Sequence, residues 1–220
     1  MSAFFITGTG TDIGKTYVTS NLVRHLRTEG RSVLALKPVA SGFQEGTIAG
    51  SDTEALLDAM DLPHAMADRI SPWRFAAPLS PDMAASREGR TISFEQLVAW
   101  CRDTVHAHDG VTLIEGVGGV MVPLNDRHTV RDWMAGLGLP AILVAGTYLG
   151  TLSHTLTAIE TLERARLHIA VVVLNESAES PTAATETAAS LRHFTGAPIS
   201  IVRRHAPRDD FAQLAALALL

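Results

Sequence analysis

The 220-residue chain carries 18 Lys+Arg against 23 Asp+Glu, a formal net charge of −5, with 46% hydrophobic and 19% charged residues. So much apolar side chain and so little charge exclude a disordered chain, and the length fits a single core, since cores divide only at about 250 to 300 residues. A negative balance argues against a nucleic-acid or anionic-membrane surface, both of which need a positive field, so any phosphate binding must be local.

In chain order, the first strand is predicted over 3–7, and a glycine-rich turn follows it. The next helix carries Val18, Leu22 and Leu26 on one face. Further strands are expected at 33–36, 111–115, 141–145, 169–174 and 198–202, several of them apolar throughout, as strands covered on both faces should be. Helices are expected between them, including 94–106 and 153–166, where Leu152, Leu156, Ile159 and Leu162 share a face, and the 211–219 segment is expected to close the fold. Residues 63–90, with Pro72, Pro78 and Pro81, read as an irregular functional or packing loop. Strands alternating with helices indicate an α/β fold with a doubly wound, mostly parallel sheet in one domain over 1–220. The N-terminus shows no basic segment before a long apolar run, and nowhere do 18 apolar residues occur in succession. A lone cysteine, Cys101, on an expected helix allows no intrachain disulfide and reads as a small packing residue, which suits a reducing cytoplasm.

The turn after the first strand reads Gly8-Thr9-Gly10-Thr11-Asp12-Ile13-Gly14-Lys15-Thr16. Glycines let backbone N–H groups converge on phosphate oxygens, Lys15 adds a point charge, and Thr16 at the helix start offers a hydroxyl to Mg²⁺. This is a P-loop of ATP-binding type, with five residues rather than the usual four between the first glycine and the Gly-Lys pair. Magnesium takes oxygen ligands, and two carboxylates are candidates. Glu115 ends an apolar strand ahead of Gly116-Val117-Gly118-Gly119, at the sheet edge where such folds bind ligands; Asp52 opens an expected helix and reads equally as a first-turn acid. Lys37, directly after a strand, reads either as a fixed cation or as a solvated lysine.

Together these segments resemble the dethiobiotin synthetase family over most of the chain. The likeness lies in the lengthened loop, Lys37-Pro38-Val39-Ala40-Ser41-Gly42, Ser51-Asp52, Glu115 to Gly119, the 75–89 stretch with Pro78, Ser80 and Pro81, and Leu149-Gly150 with His154. The resemblance implies a P-loop NTPase-like fold and ATP- and Mg²⁺-dependent closure of a cyclic urea from 7,8-diaminononanoate and CO₂. It implies Lys37 as the catalytic cation and Thr16, Asp52 and Glu115 as metal ligands. The nucleotide is expected on Asp12, Ile13, Gly14, Lys15, Thr16, Tyr17, Asp52, Glu115, Gly116, Val117, Gly118 and Asn175. Thr11, Lys37 and Ser41 are expected to bind the diamine or carbamate. Its far carboxylate is assigned to Gly150, Thr151, Leu152 and Ser153 at a helix start on a neighbouring subunit, which implies a homodimer.

Two departures stand out. Ile201-Val202-Arg203-Arg204-His205 replaces a proline-containing adenine-side loop, so Arg203 and Arg204 are open to nucleotide contact or to a surface role, and Asp82 stands where the family often has histidine. The rival reading is a partition-type switch ATPase of the same architecture, but such proteins usually carry an extra lysine early in the loop, and Thr7 to Asp12 has none.

Overall fold

A computed structural model describes residues 2–43, 48–206 and 208–219. Six strands, β1 (Ser2–Gly8), β2 (Val33–Leu36), β5 (Val111–Glu115), β6 (Ala141–Ala145), β7 (Ile169–Asn175) and β8 (Ile199–Val202), form a sheet in the order β2-β5-β1-β6-β7-β8. Every neighbouring pair is parallel. The central strands are buried along nearly their whole length because helices cover both faces. On one side α1 (Lys15–Thr28) packs with α2 (Asp52–Met60) and α9 (Arg208–Ala218). Elsewhere α5 (Phe94–His106) packs with α6 (Val130–Leu137), and α7 (Thr151–Arg164) with α8 (Ala184–Arg192). Cys101 is buried on α5 among core residues, and burial pushes its thiol up to about 12.

The chain winds outward from β1 to β2, returns to place β5 between them, then continues on the other side with β6. The switch point is therefore at β1, and the loops after β1, β2 and β5 open into one crevice at the carboxyl ends of the strands.

Two expectations are corrected. The 63–90 segment is structured: after a 3₁₀ turn, His64–Met66, come α3 (Ala67–Ile70), β4 (Trp73–Phe75) and α4 (Pro81–Arg87). Strand β4 pairs in parallel with β3 (Val39–Ser41), with Val39 opposite Trp73 and Ser41 opposite Phe75. These elements are too short to show periodicity, and Pro81 begins a helix rather than breaking one, because the first turn needs no N–H there. Second, Leu152 is not on the buried face of α7. That face is Thr151, Thr155, Ala158, Ile159 and Leu162, while Leu152 is exposed. Thr151 turns inward because its hydroxyl donates to Gly146 O at 2.6 Å, taking the place that apolar periodicity assigns to Leu152, while Leu156 is half-buried against the core.

Candidate active site

The P-loop leaves β1 and enters α1 through two left-handed residues, Asp12 (φ 56) and Gly14 (φ 88). The φ of Gly14 favours glycine, and a Cβ there would lie 2.2 Å from the Asn175 Nδ2 and push that amide aside. Asn175 Nδ2 donates to Ile13 O at 2.9 Å and braces the loop from the end of β7. Lys15 Nζ donates to Gly10 O at 2.8 Å across its own loop.

Register explains how the charged residues meet. Parallel pairing sets Leu36 of β2 opposite Ile114 of β5, so one residue further brings Lys37 beside Glu115. Lys37 Nζ lies 2.6 Å from Glu115 Oε1, 2.9 Å from Asp52 Oδ2 and 3.0 Å from Gly116 O, which occupies all three ammonium protons. Thr16 Oγ1 donates to the same Glu115 oxygen at 2.6 Å. Lys37 and Glu115 are buried, whereas the Asp52 side chain is about half exposed. Burial pushes the Lys37 ammonium down, but the Glu115 and Asp52 charges outweigh it and hold its pKa above the ordinary lysine value. Burial would raise Asp52, yet the Lys37 charge and its hydrogen bond hold it below the usual carboxylate range. Among the described residues no carboxylate pairs with Lys15, and burial followed by repulsion from Lys37 lowers it to about 8.

A cleft of about 320 Å³ gathers Thr11, Asp12, Gly14, Lys15, Thr16, Lys37, Ser41, Asp52, Val117 and Gly118. The expected phosphate, metal and catalytic residues therefore converge. Glu115 Oε2 is buried and, among the described residues, accepts no hydrogen bond. A buried carboxylate oxygen without a donor, beside a hydroxyl and a second carboxylate, is an oxygen-only donor set that fits magnesium. Thr16, Asp52 and Glu115 would hold it.

Other expected residues lie apart. Gly150, Thr151, Leu152 and Ser153 open α7 and line neither this cleft nor the adjoining hollow of about 470 Å³, which runs from Gly8–Thr11 past Gly119–Pro123 to His154, Thr157, Ala158 and Thr161. Thr151 has its hydroxyl committed to Gly146, and His154 Nδ1 pairs with Tyr148 OH at 2.8 Å. The Arg203 guanidinium is held by buried Asp210 at the start of α9, which also accepts Arg203 N at 2.9 Å. Arg204 has an exposed side chain and donates its backbone N–H to Glu176 Oε2 at 2.9 Å. Neither arginine lines the cleft. Tyr17 is partly exposed, with its ring edge on Phe211 of α9.

Residues 2–202 match a family described as an AAA domain. The chain is 49% identical over 200 residues to the ATP-dependent dethiobiotin synthetase BioD of Acidiphilium cryptum, covering 90% of both chains. It is 47% identical over 211 residues to the protein of that name from Methylobacterium nodulans, covering 93% of this chain and 94% of the relative. The chain belongs to the dethiobiotin synthetase family. Among solved structures, the ParA family ATPase of Chlorobium tepidum TLS matches with a TM-score of 0.55 at 16% identity, covering 100% of this chain and 91% of that one. The MinC:MinD cell division complex of Aquifex aeolicus gives 0.57 at 13% identity, covering 98% and 96%. At such identities these two share the P-loop fold alone, so the partition-ATPase likeness is one of architecture while family membership rests on the synthetases.

Sequence reasoning missed several buried or half-buried polar residues around the site. Ser71 Oγ donates to Lys37 O at 2.7 Å and lies 2.9 Å from Thr53 Oγ1. Thr147 and Ser177 exchange hydrogen bonds at 3.0 and 2.9 Å, tying the loop after β6 to the loop after β7. The only local signal for the first pair was the adjacency of Thr53 to Asp52; the second pair, 30 positions apart, had none.

Proposed function

We propose that the Lys37 cleft closes the cyclic urea of dethiobiotin from 7,8-diaminononanoate, CO₂ and ATP. One amine adds CO₂ and loses a proton, giving a carbamate. Its delocalised charge makes it a poor electrophile. Transfer of the γ-phosphoryl group to a carbamate oxygen gives a carbamic-phosphoric anhydride and ADP. The second amine attacks the carbonyl carbon and gives up a proton, phosphate leaves with the C–O bonding pair, and the ring closes.

The P-loop amides and Lys15 hold the triphosphate, and Thr11 and Ser41 offer hydroxyls to the diamine and carbamate. When bound by Thr16, Asp52 and Glu115, magnesium supplies charge neutralisation on the phosphates. Lys37 is the observation that carries the reading: a buried lysine whose paired carboxylates keep it charged serves as a fixed cation for the carbamate and the phosphoryl oxygens in transfer. To reach them it exchanges at least one of its three present partners.

The substrate's carboxylate sits at the N-terminus of α7 from a second copy. That helix start has no side-chain cap, and within its own chain it lines no part of the cleft. The chain works as a homodimer in the cytoplasm.

Purified protein supplied with diamine, bicarbonate and Mg·ATP should form dethiobiotin; absence of product at saturating substrate overturns the proposal. Lys37→Gln should lower kcat by roughly 100-fold or more with little change in ATP affinity, as for loss of a group that acts mainly in the transition state. An unchanged rate removes Lys37 from the chemistry.

A further inference from the structure

Lys37 is held at both ends, and only one end belongs to the cleft. Its backbone N–H donates to Ile70 O at 2.9 Å, and its carbonyl accepts from Ser71 Oγ at 2.7 Å, so a single peptide step at the end of α3 grips both backbone groups. The Ser71 hydroxyl has one hydrogen. A carbonyl can only accept, so that hydrogen goes to Lys37, and the 2.9 Å contact between Ser71 and Thr53 must be donated by Thr53. Thr53 directly follows Asp52, whose carboxylate lies 2.9 Å from Lys37 Nζ. The contacts close a ring: Lys37 backbone, Ser71, Thr53, Asp52, and back to the Lys37 ammonium.

Both hydroxyls are fully buried, at 0% exposure. Buried hydroxyls are costly unless partnered, and small apolar residues would fill the same space. What this pair adds is a fixed distance between the start of α2 and the root of the Lys37 side chain. A lysine has four rotatable carbons, and its charge acts on a transition state only where it is placed before the reaction.

We propose that Ser71 and Thr53 are positioning residues for Lys37: they anchor its backbone to the helix that carries Asp52 and so set where the ammonium stands. The proposal rests on the role given to Lys37 above.

The test uses Ser71→Ala, Thr53→Val, which keeps shape but loses the donor, and Thr53→Ser, which keeps the hydroxyl. Ser71→Ala should lower kcat about 10-fold, Thr53→Val less, and Thr53→Ser should stay near wild type, while KM for ATP moves by less than about 2-fold. Mg·ADP affinity, measured by calorimetry, should be unchanged in all three. In a Lys37→Gln background, Ser71→Ala should cause no further loss of kcat, because residues acting through one group are not additive. Full turnover in both Ser71→Ala and Thr53→Val overturns the proposal, as do losses that multiply in the Lys37→Gln background. Should Ser71→Ala not fold, the Thr53→Val and Thr53→Ser pair decides by the same kcat comparison. Lys37→Gln with undiminished turnover refutes the role of Lys37 itself; an inactive Lys37→Gln beside fully active Ser71 and Thr53 variants refutes only the placement.

Discussion

Two lysines share the cleft, both buried, and their protons are held with opposite strength. Lys15 donates to a neutral carbonyl and is repelled by Lys37, so burial prevails and its pKa falls to about 8; Lys37 touches two carboxylates and its pKa rises. Since the folded pKa of Lys15 lies below the unfolded value, the folded state releases this proton first. Between about 8 and 10.5 the unfolded chain binds more protons, and the Lys15 contribution to stability rises with pH; below about 8 the buried ammonium is a standing cost. Lys15→Met should therefore raise the stability of the free protein by about 1–2 kcal/mol at neutral pH while abolishing ATP binding, read by thermal melts and calorimetry. A melting temperature at or below wild type would contradict this. ATP binding above about pH 8 should take up a proton, visible as a binding heat that depends on buffer ionisation. The residues at 15, 37 and 115 were legible as candidates in the sequence because the P-loop and strand ends mark them, whereas Asp52, at a helix start, was singled out only by the family resemblance. Their pairing was not, since Lys37 and Glu115 stand 78 positions apart.

Among the elements, α2 decides where Asp52 stands. Its N-cap, Ser51, accepts from Glu54 N at 3.1 Å, and Glu54 Oε2 accepts from Gly50 N at 2.6 Å, so the helix start is tied on both sides of Asp52. Ser51→Ala should destabilise the protein by about 1 kcal/mol and raise the magnesium concentration needed for half-maximal rate about threefold, because the first turn frays where Asp52 sits. A shift in melting temperature without a shift in magnesium dependence would separate cap from site. The long strands and α5 were legible from apolar runs and helical spacing. Elements β3, β4, α3 and α4 were not: they have three to seven residues each, and β3 exists only because β4 pairs with it.

At the scale of the molecule, Leu149 (86% exposed), Leu152 (38%) and Met121 (49%) remain large hydrophobic side chains in solvent, two of them flanking the open start of α7. Exposed apolar surface of this kind suits an interface, and a second copy is the occupant that the proposed carboxylate site requires. Leu152→Asp combined with Leu149→Asp should give a monomer by sedimentation and raise KM for the diamine about 10-fold or more, while Mg·ADP affinity stays at its wild-type value. A dimer that persists with unchanged KM would argue against this face. No helix among the described residues is long and apolar enough to cross a membrane.

By itself, the sequence determined the local chemistry: a phosphate loop, a lysine and an acid at strand ends, and a sheet built from β-branched runs separated by helical stretches. Such features depend on residues within one turn or one strand of each other, and periodicity and spacing record them. Strand order was decided only in three dimensions, where β5 returns between β2 and β1 and sets Glu115 against Lys37. The hydroxyl link through Ser71 and Thr53, the capture of Arg203 by Asp210 and the inward turn of Thr151 were settled there too. The Ser71–Lys37 link spans 34 positions, and the shorter Arg203 and Thr151 bonds depend on how a loop folds back on itself, which leaves no period or motif in the sequence.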